Sequence, residues 1–535
     1  MIVRTLALLA LALLGASANA GAQEASPVPS PTASPLTFSG YVRSYYFTRQ
    51  NATNNPGVQF DYSTKKCVGP GPCENQASFS TGVSLHADYA LGDGWSIGGS
   101  YLYAQPFSGP CSPASAHGKG DPCVSQQPPN TNPDDTLPGF MLSTFPEAYL
   151  AYTKSDFSAK LGDQLFESPW APGSDSRIKP AAYQGAVLSY KMRGWTFDAA
   201  EMLQFQDRTS NTFQSSTLLT SHAAGNSGLP DDIYVPGGGS ITTPGFLYAH
   251  AGYGPDGQPY AIDAYYYGVS DIATIWWFDG KYAFSQRGWK PFVALQGGTE
   301  YNMGSSAIGK IDSSVAGFRI GATPARGITI DASYDSIPWR TDTVTLQAPI
   351  TCNNATHQIA AGSKVYPGRT FPYFLPSDAG QCVTNPNGTS TIYYGGWASP
   401  YTDNYSTDPF FTTQITQGMA DRRSPGTSWR ISGTYVTDDK RLIFIVGDAW
   451  FNYGNALVGQ NTNEWTLDGT YRFGRVRGSH YKGFSFRYRY AQRAQTNTAC
   501  GTPSSTCPPG LTSGTSFLGG VPLFKYNRAQ LEYDF

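Results

Sequence analysis

Arginines alternate with apolar or aromatic residues in several segments of this chain, and this pattern points to the binding of anions. Around Arg487 and Arg489, for example, the neighbouring positions hold Phe484, Phe486 and Tyr488. Successive side chains of a strand point to opposite faces, so the guanidinium groups share one face and the rings share the other. Guanidinium groups bind carboxylates through charge-assisted hydrogen bonds. The candidate anion-binding residues are Arg43, Arg319, Arg430, Arg472, Arg487, Arg489 and Arg528.

Carboxylates at matching strand positions allow two interpretations of these arginines. Glu147, Asp198 and Glu201 belong to other segments, so they could line the opposite side of a channel and create a transverse field that guides a carboxylate-bearing solute. In the second interpretation, the arginines pair with carboxylates on their own strands and hold the wall together. Those partners would be Asp448, Asp468, Glu532 and Asp534. The sequence favours neither interpretation.

Catalytic groups are hard to assemble from this sequence. The six histidines are scattered, and none lies in a His-x3-His pair or beside a G-x-S-x-G motif. Only His86 is predicted to share a face with the arginines, where a lone histidine is more often a hydrogen-bonded wall residue than a general base. We therefore predict no enzymatic activity and no cofactor. A hydrolase stays open as an alternative, because its catalytic groups could meet from distant strands.

The eight cysteines fall two by two into four long loops, which favours disulfides over a metal site. Their spacing lacks the Cys-x2-Cys pattern and the nearby histidines of a zinc site, so we predict no bound metal. Disulfides form in oxidising compartments outside the cytosol. The most economical pairing joins Cys67 with Cys73, Cys111 with Cys123, Cys352 with Cys382 and Cys500 with Cys507.

The composition indicates strands and turns rather than ordinary soluble domains. Charged residues make up 14% of the 535 residues, against about 25% in soluble domains. Aromatic residues also reach 14%, and the net charge of −2 offers no polycation for nucleic acid. The longest apolar run, Leu6 to Leu14, is far shorter than the ~20 residues of a membrane-spanning helix. These features exclude a nucleic-acid-binding protein and a helical membrane protein.

The N-terminal residues read as an export signal. Arg4 precedes the apolar run, small residues follow it, and Ala18-x-Ala20 fits a signal-peptidase site. We predict a signal peptide over residues 1–22, a Pro/Ser-rich linker over 23–36 and one β-barrel over 37–535.

From residue 37 onward, the dominant signal is an alternation of period two. Between Ala77 and Tyr89, apolar residues alternate with Ser, Gly, His and Asp, and we find about eighteen such segments. Short connectors alternate with long ones, which include residues 49–76, 106–146, 207–243, 341–426 and 494–523. This pattern predicts an all-β fold, a transmembrane antiparallel β-barrel with short periplasmic turns and long extracellular loops. Such a barrel lies in the bacterial outer membrane with its apolar face against lipid.

The last strand supports export to that membrane. It alternates from Lys525 to Asp534 and ends on Phe535. A terminal strand of this kind resembles the signal by which outer-membrane barrels engage the barrel-assembly machinery, which we therefore expect as a partner.

Three stretches resemble the OprD-type family of substrate-specific porins. The first runs from EAYL at 147–150 through KLGDQ at 160–164 to PGSDSRIKP at 172–180 and YQG at 183–185. The second is DPFFTT at 408–413 with Gln417-Gly418, and the third is the closing strand. The layout of strands and loops matches over about residues 37–535. The Pro/Ser-rich leader and the cysteine-bearing loops depart from the family pattern.

The resemblance implies an eighteen-stranded porin whose third external loop folds inward and narrows the pore opposite a ladder of arginines. By position, that loop carries Ser174, Asp175, Ser176 and Arg177, and the arginines named above form the ladder. The expected function is passive, selective diffusion of small hydrophilic solutes, above all carboxylate-bearing nutrients, by a monomer or trimer. An adhesion barrel that uses surface aromatics around Tyr393, Tyr394 and Trp397 is a further alternative, and loop 341–426 could enter or cap the channel.

Overall fold

The computed structural model of the chain describes residues 35–51, 60–61, 66–67, 76–106, 141–173, 177–208, 210–218, 242–284, 288–345, 358–359, 381–382, 389–402, 407–420, 425–452, 461–474, 482–496 and 521–535. Eighteen antiparallel strands form one sheet. They are β1 (Leu36–Asn51), β2 (Gln76–Gly92), β3 (Trp95–Pro106), β4 (Leu142–Lys154), β5 (Phe157–Gln164), β6 (Ala182–Met192), β7 (Trp195–Gln206), β8 (Phe246–Tyr253), β9 (Tyr260–Val269), β10 (Ala273–Ala283), β11 (Phe292–Asn302), β12 (Asp312–Ala325), β13 (Ile328–Ile337), β14 (Gly426–Val436), β15 (Leu442–Asn452), β16 (Thr462–Arg472), β17 (Gly483–Gln495) and β18 (Val521–Asp534).

The sheet closes on itself, because the first strand pairs with the last. β1 and β18 are antiparallel neighbours over the full register from Tyr41 opposite Asp534 to Asn51 opposite Phe524. Phe535 completes this seam through reciprocal backbone hydrogen bonds with Gly40, at 3.0 and 3.3 Å. The predicted closed barrel of eighteen antiparallel strands is confirmed. Closure leaves no unpaired sheet edge, which a wall in contact with lipid requires.

Short pairs of strands lie outside the barrel sheet. Arg340–Thr345 pairs with Thr389–Tyr394, Gln358–Ile359 with Gln381–Cys382, and Phe60–Asp61 with Lys66–Cys67. Cys67 and Cys382 therefore belong to two-residue strands within long loops, although the sequence pattern assigned no cysteine to a strand. The four predicted disulfides lie outside the residues whose side chains are described, and they stay predictions.

The two faces of the wall carry different side chains. In β1, Val42 and Tyr46 point outward and are exposed, whereas Arg43, Tyr45 and Phe47 point inward and are buried. Large apolar side chains are exposed around the outer surface, and examples with half or more of their area open are Phe145, Leu161, Ile262, Phe278, Leu295, Ile330 and Ile431. An apolar exterior of this extent is the lipid-facing surface of a transmembrane barrel. Within the described ranges, no helix is long and apolar enough to cross a membrane.

Two carboxylates that were assigned to the interior face outward instead. Glu201 is exposed and shares the side of Phe197 and Leu203, because it stands an odd number of residues from the inward-facing Asp198. Asp448 lies beside Trp450 on the outer face, because the neighbouring Ala449 and Phe451 are fully buried inside the barrel. The assumption that apolar residues face lipid is wrong at this second position.

Candidate solute pathway

Part of the loop between β5 and β6 lies inside the barrel. We call the described residues 165–173 and 177–181 the first inserted loop. The hydroxyl of Tyr41 on β1 donates to the carbonyl of Ile178 at 2.8 Å, and the guanidinium of Arg43 donates to the carbonyl of Arg177. Trp170 and Ile178 are each 1% exposed. The loop thus extends inward and contacts β1. Arg177 lies on it, and Ser174, Asp175 and Ser176 are outside the described residues.

The far end of this loop is held by a buried lysine. Lys179 is completely buried, and its Nζ donates to the side-chain oxygen of Gln206 and to the carbonyl of Pro180, both at 3.0 Å. Burial lowers the pKa of Lys179 to about 7, although Asp207 favours its charged form. A change of protonation at this anchor therefore falls within the physiological range.

Part of the long loop between β13 and β14 also lies inside the barrel. We call the described residues 395–402 and 407–420 the second inserted loop. Three buried carboxylates on the wall accept its backbone N–H groups: Glu300 from Ala398 at 2.6 Å, Asp335 from Thr412 at 2.8 Å, and Glu464 from Thr416 at 2.8 Å. Loop 341–426 thus enters the barrel through these residues, which answers a question that the sequence left open.

The two inserted loops meet in an aromatic cluster, which we define as Trp170, Trp277, Trp397 and Phe410. The centroid of Trp170 lies 4.9 Å from Trp397, 5.2 Å from Phe410 and 5.2 Å from Trp277, which points inward from β10. These side chains are at most 3% exposed. The cluster joins both loops to one arc of the wall and narrows the lumen.

All seven predicted arginines face inward, on β1, β12, β14, β16, β17 and β18. Several also form ion pairs with the wall. Arg487 makes two hydrogen bonds with Asp468, at 2.9 and 2.7 Å, and Arg489 adds a third at 2.7 Å. Arg43 pairs with Glu532. The structural interpretation is therefore correct for part of the set.

The remaining arginines differ in how far they are neutralised. Arg319 forms two hydrogen bonds with Asp331, at 2.8 and 3.0 Å, and Arg430 donates to the carbonyl of Phe411 at 3.3 Å. Arg472 lies at the short-turn end and donates to the carbonyl of Lys440 at 3.0 Å.

Arg528 is 1% exposed and stacks over the ring of Tyr45, with its Cζ 4.5 Å from the centroid. Its Nη2 donates to Gln530 at 2.8 Å, but its Nε and Nη1 have no hydrogen-bond partner among the described residues. Arg430 also has a buried Nε without a hydrogen-bond partner among the described residues.

Two arginines of this arc, Arg49 on β1 and Arg493 on β17, were not among the predicted residues. Arg493 on β17 is buried beside Glu464, with its Nε 3.6 Å from the carboxylate, and it donates to the carbonyl of Thr416. Its alternation with Arg487 and Arg489 on the same strand was the available signal.

Acidic residues and histidines occupy the other arc, on β2 to β10. His86 lies between Asp88 and Glu147, at 2.7 and 3.2 Å. His250 lies between Asp198 and Asp263, at 2.7 and 2.9 Å. The sequence analysis placed His86 in the lumen and missed His250, whose neighbour Tyr248 is also inward-facing and apolar. Arginines thus gather on one arc, where Asp331, Asp468 and Glu532 partly neutralise them, and histidine–carboxylate groups lie on the other.

A cavity of about 560 Å³ lies below the second inserted loop, towards the short turns. Lys281, Lys290, Phe292 and Arg319 line it from the wall, and Phe411 of the loop borders it. The volume lies within the range of roughly 300–1,000 Å³ that small solutes occupy in proteins. Across the part of the chain described here, no group of three or more His, Cys, Asp or Glu residues is arranged to hold a metal ion.

Searches with the sequence found no matching family model and no matching curated protein. Solved structures do match. OccAB3 of Acinetobacter baumannii superposes with a TM-score of 0.58 at 12% identity, covering 94% of this chain and 99% of that chain. Two Pseudomonas aeruginosa structures, OpdK with vanillate and OccK2 (OpdF) in complex with glucuronate, each give a TM-score of 0.55 at 12% identity and cover 94% of this chain, with 98% and 96% of their own lengths covered.

The chain has the OprD-type porin fold. At these identities the likeness concerns the fold, and it confirms the fold that the three sequence stretches implied.

Proposed function

We propose that this protein is a porin of the bacterial outer membrane that lets small hydrophilic solutes, above all carboxylate-bearing nutrients, diffuse passively. The observation that carries the proposal is the sorting of lumen charge. Arginines, partly paired with carboxylates, face inward from β12 to β1, and histidine–carboxylate groups face inward from β2 to β10, within a wall whose outer surface is apolar. Opposed charges create a transverse field that orients a dipolar or anionic solute at the narrow part of a channel.

The arginines are proposed to act as a ladder of binding positions, with Arg177 on the constricting loop beside them. Arg489 and Arg528 are members whose charge is incompletely neutralised, since Arg489 shares Asp468 with Arg487 and two nitrogens of Arg528 have no hydrogen-bond partner among the described residues. A carboxylate that reaches them gains charge-assisted hydrogen bonds. The structures of the same fold support this class of solute, because one contains vanillate and another contains glucuronate.

The other candidate functions account for less of the molecule. An adhesion barrel needs surface aromatics, but Tyr394 and Trp397 are 4% and 0% exposed. A hydrolase built on His86 does not explain why charge is sorted by arc. We propose no catalytic role and no cofactor.

The test is the rate of liposome swelling in a sugar acid and in its neutral parent sugar, which have nearly the same size. We expect glucuronate to enter faster than glucose through the wild-type protein, and the difference to shrink in Arg489→Ala with Arg528→Ala. The matched control is Arg326→Ala, which removes an exposed arginine of a short turn. Equal rates for the two solutes in the wild type would contradict the proposal.

A further inference from the structure

His250 is held between two carboxylates through both of its ring nitrogens. Nδ1 lies 2.7 Å from an oxygen of Asp198 on β7, and Nε2 lies 2.9 Å from an oxygen of Asp263 on β9. The imidazole stacks on Tyr265, with ring centroids 4.5 Å apart and planes inclined by 11°. The side chain of His250 is 10% exposed, so water competes little for these contacts.

This geometry determines the charge of the ring. An ionised carboxylate only accepts hydrogen bonds, and a neutral imidazole has one donor and one acceptor nitrogen. Two short contacts to carboxylates are therefore both hydrogen bonds only if both nitrogens carry a proton. His250 is then an imidazolium, and its group of three side chains has a net charge of −1 instead of −2.

His86 also lies between two carboxylates on this arc, but only its Nε2 forms a hydrogen bond with one of them among the described residues. Its Nε2 lies 2.7 Å from Asp88, its Nδ1 lies 3.2 Å from Glu147, and the hydroxyl of Tyr149 donates to Asp88 at 2.8 Å. Ser100 and Lys160 complete the polar surroundings. The groups that face the His250 cluster from all packed strands are Ser189 and Lys191 on β6, Asp198 on β7, Tyr248 on β8, Asp263 and Tyr265 on β9, and Asp279 on β10.

We propose that His250, as a bridging imidazolium ion, and His86, within ion-pair distance of two carboxylates, are charge-selectivity residues on the acidic arc of the lumen. While protonated, each ring neutralises the charge of one carboxylate. The arc then attracts cations less and repels anions less. Loss of either proton adds one negative charge opposite the arginines. The anion preference of the pore therefore depends on pH through these two rings. This inference rests on the proposed function as a channel.

The test is the ratio of chloride to potassium permeability, taken from reversal potentials in a planar bilayer under a KCl gradient. One elementary charge ~8 Å from an ion in water-like surroundings changes this ratio about two- to fivefold. We expect such a fall in the wild type over a pH scan from about 6 to about 10, because the two rings lose their positive charge as they are deprotonated. Lys179 also titrates in this range, so the decisive quantity is the difference between wild type and variants.

Variants at position 250 separate charge from packing. His250→Lys keeps a positive charge at every pH of the scan and is expected to retain the anion preference at high pH. His250→Asn is expected to have the lower ratio at every pH. Asp263→Asn removes a carboxylate and is expected to raise the ratio, a direction that mere loss of packing does not produce. Heat-modifiable migration on gels shows that each variant forms a barrel.

The outcomes are distinguishable. Channels that share one pH profile across wild type, His250→Lys and His250→Asn would overturn this inference and leave the proposed function standing. An absence of channels in all of them would overturn both. Nitrogen-15 NMR of labelled histidine, with the His250 signals assigned by their loss in His250→Asn, supplies an independent check: imidazolium shifts near pH 7.5 support the inference, and neutral shifts refute it.

Discussion

Trp170→Ala is predicted to loosen the constriction without unfolding the barrel. Trp170 is 1% exposed and contacts three rings with centroids 4.9 to 5.2 Å away. Its indole Nε1 has no hydrogen-bond partner within the described ranges, so the change removes packing and no hydrogen bond of that group. Truncation of a buried tryptophan costs about 3–5 kcal/mol. Since about 1.4 kcal/mol is tenfold, docking of the first inserted loop weakens about a hundredfold or more.

The assay combines single-channel recording with liposome swelling in sugar acids of increasing size. We expect Trp170→Ala to show higher conductance, more open-channel noise and faster entry of the larger solutes. The matched control is Trp276→Ala on β10, whose ring is 47% exposed on the outer face and contacts Tyr266 instead of the inserted loops. If both variants kept the conductance and solute discrimination of the wild type, the aromatic cluster would not be part of the constriction.

Three further predictions concern lumen charge and the loop anchors. Arg487→Ala with Arg489→Ala is expected to lower the chloride-to-potassium permeability ratio severalfold, and Asp468→Asn is expected to raise it. An unchanged ratio in both variants would mean that these arginines only stabilise the wall. Glu464→Gln breaks a buried pair and is expected to destabilise docking of the second inserted loop by about 3 kcal/mol, seen as faster proteolysis of residues 395–420; equal rates would contradict this. Burial lowers the pKa of Lys179 to about 7. Below pH 7 the buried amine is charged and its burial destabilises the docked loop most. Between pH 7 and the ordinary lysine pKa this destabilisation decreases as pH rises. Open-channel noise is therefore expected to fall as pH rises above 7, and to lose this dependence in Lys179→Met.

The barrel itself could be predicted from the sequence because one physical rule governs its wall. Lipid outside and polar groups inside impose a period of two on every strand. This rule located eighteen strands and the inward side of all seven arginines, Arg487 and Arg489 being the plainest cases. Alternating loop lengths then fixed the direction of the strands.

The rule fails where the interior is itself apolar. Trp277, Ala449 and Phe451 face inward because inserted loops cover them. Asp448 alternates with Ala449 and Phe451, so it was assigned to the inner face although it lies on the outer one. His250 was missed because Tyr248, which shares its inner face, is a large ring of the kind expected to face lipid. The loop contacts of Glu300 and Glu464 follow from pairings between residues far apart in the chain, which no local pattern encodes.

The central claim is that an anion-preferring pore runs through this barrel, and single-channel recording of the purified protein in a planar bilayer tests it most directly. The account predicts discrete conductance steps and a reversal potential on the chloride side under a KCl gradient. It is contradicted by a bilayer that stays silent, or by channels that prefer potassium.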